Sequence, residues 1–399
     1  MKKFLVFLLL LVLGFSLVGC KKGDNKVQKA VEAASKMTEK ELLEAAKKEI
    51  GDGTFVVETQ ASGVAKALAK FTEKYGIKHD SERAKSAKKD AQLYEALGVV
   101  YSNQYYADMV VIQDARQLAQ IISEKIIYKY IPNQNEIKLD QDDLDPLATV
   151  YYNRLFLYNK KDTSFTIKNV WQLAGKEGES GHISDFSMQR PVNDNINMNF
   201  LLSLTSKEGI ERLTKAYKAF YGKDYEEDPK YPNIAYKYIS ELIGNVSVWH
   251  DSDTTAVKSV LPQDTKPNRT VFFSAFAKYK NLVKEKGADV AKEVFGWEHE
   301  MEGFKGFLYK MYSVVPKTAK YPYTACLFAR YLLTEEGFNS AFGDQYGYYS
   351  PNASILPKEG DKPLSYWKKV CLIEDGNYLA SLKQEVANYI KSHVTGGGK

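Results

Sequence analysis

Polar side chains follow an apolar run near the start of the chain, and their spacing could support ligand binding. Residues 52–78, DGTFVVETQASGVAKALAKFTEKYGIK, predict a strand at 54–58, a polar turn at 59–63 that holds Gln60 and the expected N-cap Ser62, and a helix. Such a turn presents free backbone N–H groups and the positive end of the helix dipole at the carboxyl end of a strand, where open α/β sheets hold ligands. The alternative is that the turn only starts a helix.

The same plan recurs at ADMVVIQDARQLAQII. The apolar run 109–112 precedes polar Gln113 and Asp114, and a helix follows. Two strand-turn-helix units in series argue for a parallel sheet. Beyond residue 160 the plan recurs with a strand at 182–187, a polar turn QRPVNDN and further helices, which indicates a second domain.

Motifs of enzymes are missing from the sequence. His299 and Glu300 lack a second histidine four residues after the first, and neither G-x-S-x-G nor G-x-x-x-x-G-K-[ST] occurs. We therefore expect a protein that is not an enzyme and that has no cofactor and no resident metal.

Length and composition bound the class of protein. A chain of 399 residues with 44% hydrophobic and 13% aromatic residues can build about two or three domains with real cores. Its 55 basic and 50 acidic residues give a net charge of +5 without a dominant basic block, so no nucleic-acid partner is expected.

The N-terminus indicates export. Two lysines precede an apolar run, and residues 1–19 predict a signal peptide that ends in Leu-Val-Gly before Cys20. This junction resembles the bacterial lipobox, in which the cysteine is lipidated and becomes the first mature residue; the alternative is an ordinary membrane anchor. We expect residues 20–37 to form a tether and the lipid on Cys20 to hold the protein at a membrane.

Two further cysteines and one acidic run have structural interpretations. Cys326 and Cys371 lie in apolar sequence and predict buried thiols, although export would permit a disulfide. The run DQDDLD at 140–145 lacks the glycine and distant glutamate of a calcium-binding loop, so it predicts a solvated turn.

A long β-rich stretch, ATVYYNRLFLYNKK at 148–161, exceeds a normal strand and could cross between two domains. With the motifs KELLEAAKKEIGDGTFVVETQASG, ADMVVIQDA, LFLYNKK, VWQLAG and PYTACLFARYLLTEEGF, the chain resembles the extracellular solute-binding proteins of bacterial ABC importers. The order and spacing of these motifs cover most of residues 38–352. The resemblance leans toward the branch of iron, polyamine and phosphonate receptors, and the length also suits oligosaccharide receptors.

The resemblance implies a periplasmic-binding-protein-like α/β fold of type II. It has two lobes, each a mostly parallel sheet flanked by helices, joined by hinge crossings. It assigns 38–150 with 305–345 to one lobe and 151–304 with 346–393 to the other, and leaves 394–399 as a tail. It further implies a monomer on the outer face of the cell membrane, or facing the periplasm in a cell with two membranes. Its partners would be a small solute and the permease of an ABC importer.

In such a fold the polar turns would face an interdomain cleft. The predicted ligand-binding residues are Gln60, Ser62, Asp114, Tyr151, Arg190, Asn193, Trp249 and Asp251. Arg190 would suit a carboxylate or phosphonate, or could be a surface cation. Trp249 could equally be a core residue. Asp251, together with Asp253, could instead cap the helix that begins near Thr254.

Ligand identity stays open in the sequence. Ferric receptors of this branch use adjacent tyrosines in the second domain, where this chain has Phe272 and Phe273, so iron is doubtful without being excluded. Glu298, Glu300 and Glu302 beside Trp297 could hold a cation or form a solvated acidic turn. Apart from an oligosaccharide receptor, the alternative is a surface lipoprotein or adhesin that kept the fold without transport.

Overall fold

The computed structural model describes residues 26–163, 166–175, 180–183, 185–260, 270–343 and 345–396. The predicted signal peptide and Cys20 lie outside the described residues, as do the last three residues of the predicted tail. No helix within the described part of the chain is both long and apolar enough to cross a membrane.

One sheet runs through the molecule in the order β1-β2-β9-β4-β7-β5-β6, with four short strands added beside it. The strands are β1 (Val57–Thr59), β2 (Met109–Ile112), β3 (Ile127–Lys129), β4 (Ala148–Asn159), β5 (Phe186–Gln189), β6 (Val246–His250), β7 (Val271–Ala275), β8 (Phe295–Gly296), β9 (Gly306–Pro316), β10 (Tyr348–Tyr349) and β11 (Leu372–Ile373).

Helices cover both faces of this sheet. They are α1 (Lys26–Ala34), α2 (Glu39–Ile50), α3 (Gly63–Tyr75), α4 (Ser81–Lys85), α5 (Asp90–Tyr101), α6 (Ala115–Ser123), α7 (Asn195–Ser203), α8 (Lys207–Tyr221), α9 (Ile234–Gly244), α10 (Asp253–Val260), α11 (Tyr279–Lys286), α12 (Ala288–Val294), α13 (Pro322–Tyr331), α14 (Glu335–Phe338), α15 (Leu364–Val370), α16 (Gly376–Ser381) and α17 (Gln384–Gly396).

Two long strands join the two halves of the sheet. β4 and β9 pair antiparallel along their centres, from Tyr151 opposite Lys310 to Leu155 opposite Gly306. The carboxyl end of β9 pairs with β2 and β3, and the carboxyl end of β4 pairs with β7. We call the half that contains β1, β2 and β3 lobe 1 and the half that contains β5, β6 and β7 lobe 2. The predicted two-lobe α/β architecture with crossings is thus confirmed.

Parallel pairing lies away from the crossings, where β1 pairs with β2 and β5 pairs with both β6 and β7. The crossing strands run antiparallel to their sheet neighbours β2 and β7. The short strand β10 returns to the crossing, where Tyr348 pairs with Tyr152. The predicted lobe limits near 150, 304 and 345 fall close to these crossings and stay predictions.

Each lobe has its own group of packed aromatic rings. In lobe 1, Phe71 lies 5.1 Å from Phe328 between centroids. In lobe 2, the ring of Phe200 stacks on Phe273 at 4.4 Å. Phe273 and its neighbour Phe272 are both buried in β7. Burial of such rings is the main favourable term that fixes each lobe.

The first helices follow their sequence signals closely. Thr38 and Glu41 form the predicted capping box of α2, because the Thr38 side chain accepts from the Glu41 amide while Glu41 bonds back to the Thr38 amide. Residues 26–34, which the sequence assigned to the tether, instead form α1. Its buried positions 27, 30, 31 and 34 recur at helical spacing, and Val27, Val31 and Ala34 join the core that α13 contributes to. At the other end, α17 continues beyond 393 because Val394 is buried.

Candidate ligand-binding cleft

The turns that follow β1 and β2 lie side by side in lobe 1, because these strands are parallel neighbours. With its amide nitrogen turned toward Asp90, the side chain of Gln60 donates to Asp90 Oδ2 at 3.0 Å and contacts Gln113. The backbone amide of Gln113 also donates to Asp90, at 3.3 Å. Gln60 and Gln113 therefore form a connected polar surface at the end of the lobe 1 strands.

Asp114 occupies the last position of the second turn in a left-handed conformation, with φ of +64°. This conformation is uncommon for a residue other than glycine and is found preferentially at functional sites. The hydroxyl of Tyr94 lies 2.9 Å and 3.0 Å from the carbonyl oxygens of Gln113 and Asp114. These two hydrogen bonds from Tyr94 hold the turn in place. The Asp114 side chain points toward lobe 2.

Asn199 of α7 reaches across from lobe 2. Its Nδ2 donates to Asp114 Oδ1 at 3.0 Å and to Glu374 Oε1 at 2.9 Å. Glu374 follows β11, which pairs with β9 at the crossing. Asp114 and Asn199 are fully buried and Glu374 is 4% exposed, so one amide links two carboxyl groups between the lobes.

Burial changes the acidity of these groups. Removal from water raises the pKa of Glu374 to about 8, and Asp114 adds to the rise although Asn199 favours the charged form. Desolvation likewise raises the pKa of Asp90 to about 8 and that of Asp114 above its ordinary value. For Asp114 the opposing influences are weaker: Asn199, the Arg116 side chain and nearby backbone amides. The cluster therefore favours protonated carboxyl groups when no cation is present.

A separate ion-pair network lies at the boundary of the crossing and lobe 2. Arg154, buried in the crossing strand β4, donates to Asp194 Oδ2 at 3.0 Å, to Asp253 Oδ1 at 2.9 Å and to Asn197 Oδ1 at 3.0 Å. Asp194 also caps α7 by accepting from the Asn197 amide at 2.7 Å. This network ties the crossing to the helix that presents Asn199.

Tyrosines line the same face of the crossing strands. Tyr152 stacks on Tyr309 at 5.4 Å and lies 4.7 Å from Tyr348 between ring centroids. The Gln113 side chain bonds to the Tyr152 hydroxyl, which joins this aromatic wall to the lobe 1 turns.

The predicted Tyr151 lies on the opposite face, because successive residues of a strand point to opposite sides. Its hydroxyl donates to the buried Asp143, which also pairs with Lys310 at 3.2 Å. The predicted solvated run 140–145 therefore contains one buried carboxylate. These groups stand beside a cavity of about 660 Å³ behind the crossings, which Tyr151, Lys310 and Glu374 help to line.

The other predicted residues of lobe 2 lie at its surface. Arg190, Asn193 and Asp251 are exposed, and the guanidinium of Arg190 stands 5.4 Å over the half-buried ring of Trp249. All four lie near the carboxyl ends of β5 and β6. Their contact with a ligand stays a prediction.

Two predicted caps are wrong. Ser62 precedes α3 in a helical backbone conformation, and its side chain makes no capping hydrogen bond. At α10 the cap is Ser252, whose hydroxyl accepts from the Thr255 amide at 3.1 Å. Asp253 accepts a hydrogen bond from Arg154 instead. Because Ser252 is the cap, Asp251 does not cap α10 either.

Several cleft residues were absent from the predicted set, namely Asp90, Arg154, Asn199, Tyr309 and Glu374. Two of them carried a sequence signal. Arg154 is a charge inside a long apolar strand, which indicates a buried partner. Glu374 follows the apolar run CLI as Gln113 and Asp114 follow MVVI.

The remaining sequence candidates are structural. Cys326 and Cys371 are buried free thiols. In the acidic turn, Glu298 pairs with Lys160 at 2.9 Å and Glu302 lies 3.9 Å from Lys215, with their side chains about half exposed. Nowhere in the described ranges are three or more His, Cys, Asp or Glu side chains grouped to hold a metal ion.

The fold and the cleft define a class of structure, the two-lobe periplasmic-binding-protein fold of type II. Iron-bound HitA from Pseudomonas aeruginosa is similar, with a TM-score of 0.62 and 16% identity over 87% of this chain and 99% of that one. So is MotA from A. tumefaciens B6 in complex with glucopine, with a TM-score of 0.56 and 15% identity over 86% of this chain and 99% of that one.

A ferric-iron-binding protein from Mannheimia haemolytica, in an open conformation, has a TM-score of 0.59 and 13% identity over 86% of this chain and 98% of that one. No protein-family model and no curated protein matches the sequence. At these identities the similarity shows the fold, and the fold predicted from the resemblance is thereby confirmed.

Proposed function

We propose that this protein is a lipid-anchored receptor that captures a small polar solute between its lobes and delivers it to the permease of an ABC importer. The observation that carries the proposal is the buried contact of Asn199 with Asp114 and Glu374, which joins lobe 2 to lobe 1 at the crossing. Polar groups buried between two lobes with unsatisfied hydrogen bonds are costly, so their presence there favours a functional role.

Capture would follow from hinge motion. The crossing strands β4 and β9 are continuous between the lobes, so rotation about them would separate Asn199 from Asp114 and admit a solute. Three similar structures support this mechanism by analogy: one is iron-bound, one is in complex with glucopine and one is in an open conformation.

The anchor is supported by the sequence alone. A charged start, an apolar run and the junction LVGC favour cleavage before Cys20 and lipidation of its thiol. Mass spectrometry of the native N-terminal peptide tests this: we expect a peptide that begins with lipid-modified Cys20. Cleavage elsewhere with an unmodified Cys20 would contradict membrane anchoring and leave solute binding open.

Solute binding is tested by a thermal-shift screen over polyamines, phosphonates, sugars and ferric salts. A ligand at about one hundred times its Kd adds roughly 2.7 kcal/mol to the free energy of unfolding, which a melting curve resolves. In the same screen, a shift of the melting temperature with sugars alone would favour the alternative of an oligosaccharide receptor.

Delivery is tested by uptake of the radiolabelled solute into cells with and without the protein. The receptor proposal expects uptake to fall when the protein is removed. A solute that binds without any effect on uptake would favour the alternative, a surface lipoprotein outside transport.

A further inference from the structure

The interlobe cluster of Asp114, Asn199 and Glu374 has more hydrogen-bond acceptors than donors. The single amide nitrogen of Asn199 serves both carboxyl groups. Oδ2 of Asp114, Oε2 of Glu374 and Oδ1 of Asn199 have no hydrogen-bond partner among the described residues. All three side chains are more than nine-tenths buried, so water does not satisfy these atoms from the surface. These oxygens are therefore available to accept hydrogen bonds from a group that enters between the lobes.

Among the described residues, cations act on this cluster only from a distance, since Arg116 near Asp114 and Lys310 near Glu374 favour the charged carboxylates without forming ion pairs with them. Arg154, the buried cation of the crossing, is held by Asp194 and Asp253. Lys310, which faces Glu374 from β9, is paired with Asp143. Across the described part of the chain, no lysine or arginine forms an ion pair with Asp114 or Glu374. Asp90 adds a further carboxyl group near both of them. A positively charged occupant would therefore be favoured, because it stabilises the charged form of carboxyl groups that burial otherwise keeps protonated.

Aromatic rings lie near Asp90, one of these carboxyl groups. Tyr152 bonds to Gln113, the neighbour of Asp114, and packs against Tyr309 and Tyr348. The faces of such rings attract cations and bury the apolar part of a small solute. The wall thus suits a cation that is carried on a short carbon chain better than a bare ion.

We propose that the solute of this receptor carries a protonated primary amine, and that its ammonium group binds between Asp114, Glu374 and Asn199. This inference rests on the receptor function proposed above. An ammonium group has three N–H donors and no acceptor, which matches the three unpartnered oxygens. A carboxylate or phosphonate dianion in the same position would bring no donor for these oxygens, and a hydroxyl would bring only one.

Three probes of equal chain length separate these chemistries: putrescine, butane-1,4-diol and succinate have four carbons and end in ammonium, hydroxyl and carboxylate groups. Spermidine extends the amine series, and glucose and ferric citrate represent the other receptor classes. Each is titrated calorimetrically into the full-length protein in detergent at pH 8. We expect saturable binding of putrescine or spermidine and no heat of binding from the other four compounds.

Conservative variants locate the amine. Asp114→Asn and Glu374→Gln keep the size of each side chain and should weaken the Kd for the bound amine by at least about tenfold each. Asp224→Asn and Glu211→Gln make the same charge changes at exposed positions on or beside α8 and should change it less than about twofold. Melting curves without ligand establish that each variant folds.

The outcomes separate this inference from the receptor function. Binding of succinate, the diol, glucose or ferric citrate in place of the amines would overturn the amine inference while the receptor function stands. Amine binding that is unchanged in both cluster variants would overturn the assignment of the amine to this cluster. If none of the six compounds binds, the amine inference fails, and if the wider thermal-shift screen also finds no solute, the receptor function fails with it.

Discussion

Asn199 Nδ2 on lobe 2 lies 3.0 Å from Asp114 Oδ1 on lobe 1, and the same nitrogen lies 2.9 Å from Glu374 Oε1. One amide thus holds two buried carboxyl groups. Asn199→Ala should lower the free energy of unfolding by about 1–3 kcal/mol, because both carboxyl groups lose their common donor. It should also increase the radius of gyration of the ligand-free protein in solution scattering. Asn388→Ala, on the exposed face of α17, is the control and should change neither quantity.

The Arg154 network predicts a larger effect on stability. Arg154→Met leaves Asp194 and Asp253 without their shared cation inside the protein, so we expect a loss of about 3–5 kcal/mol in the free energy of unfolding. Lys207→Met removes a cation whose side chain is 92% exposed and should cost less than about 0.5 kcal/mol. Denaturant unfolding measures both. Equal midpoints for the two variants would contradict the account of Arg154 as the fixed cation of the crossing.

Stability without ligand should depend on pH through Glu374. The folded protein holds this proton up to a pKa of about 8, whereas the unfolded chain releases it near the ordinary value of 4.5. Between these values the folded state binds more protons, so the free energy of unfolding falls as pH rises, by up to about 1.4 kcal/mol per pH unit for this group. The contribution is complete below the ordinary value and is lost above pH 8.

Glu374→Gln should flatten this dependence of stability on pH. Asp90, whose pKa is also raised, contributes to both curves, so the difference between wild type and variant reports the contribution of Glu374 alone. Chemical unfolding at half-unit steps from pH 5 to 9 measures both curves. Parallel curves for wild type and variant would show that Glu374 does not carry a raised pKa in the folded protein.

Arg190 distinguishes a cationic from an anionic solute. It lies over Trp249 at the surface of lobe 2, and its removal should change stability by less than about 1 kcal/mol. Because the amine binds elsewhere, Arg190→Ala should retain the thermal shift that putrescine or spermidine produces. Loss of that shift in a variant with an unchanged melting temperature would place Arg190 in the binding site.

The resemblance supplied the two-lobe arrangement, whereas the individual strands and helices could be predicted because their signals are local. The run 109–112 is a strand in the structure at those positions, and the long stretch from 148 became the crossing strand β4. Strand alternation, helix periodicity and the capping box at Thr38 act within a few residues, so their consequences are visible in the sequence.

The site was predicted only in part, because its pairs are distant in sequence. Asp114 was expected in a cleft turn, but its partner Asn199 lies 85 residues away in the sequence. Asn199 belongs to α7, where residues 196–203 are all buried, so no local pattern distinguishes it from a core position. Whether Tyr151 or Tyr152 faces the cleft depends on strand register, because a shift of one residue turns each side chain to the other face of the sheet. Asp253 looked like a helix cap because its bond to Arg154 across 99 residues has no local signal.

The distance between the lobes tests the central claim most directly. Spin labels at Lys70→Cys on α3 and Lys207→Cys on α8 report it by pulsed electron resonance, since Cys326 and Cys371 are buried and should not react. The account predicts that a solute which raises the melting temperature, putrescine or spermidine first, narrows the distribution and shifts it to shorter distances. One unchanged distance with every solute that binds would contradict a receptor that closes its lobes on a ligand.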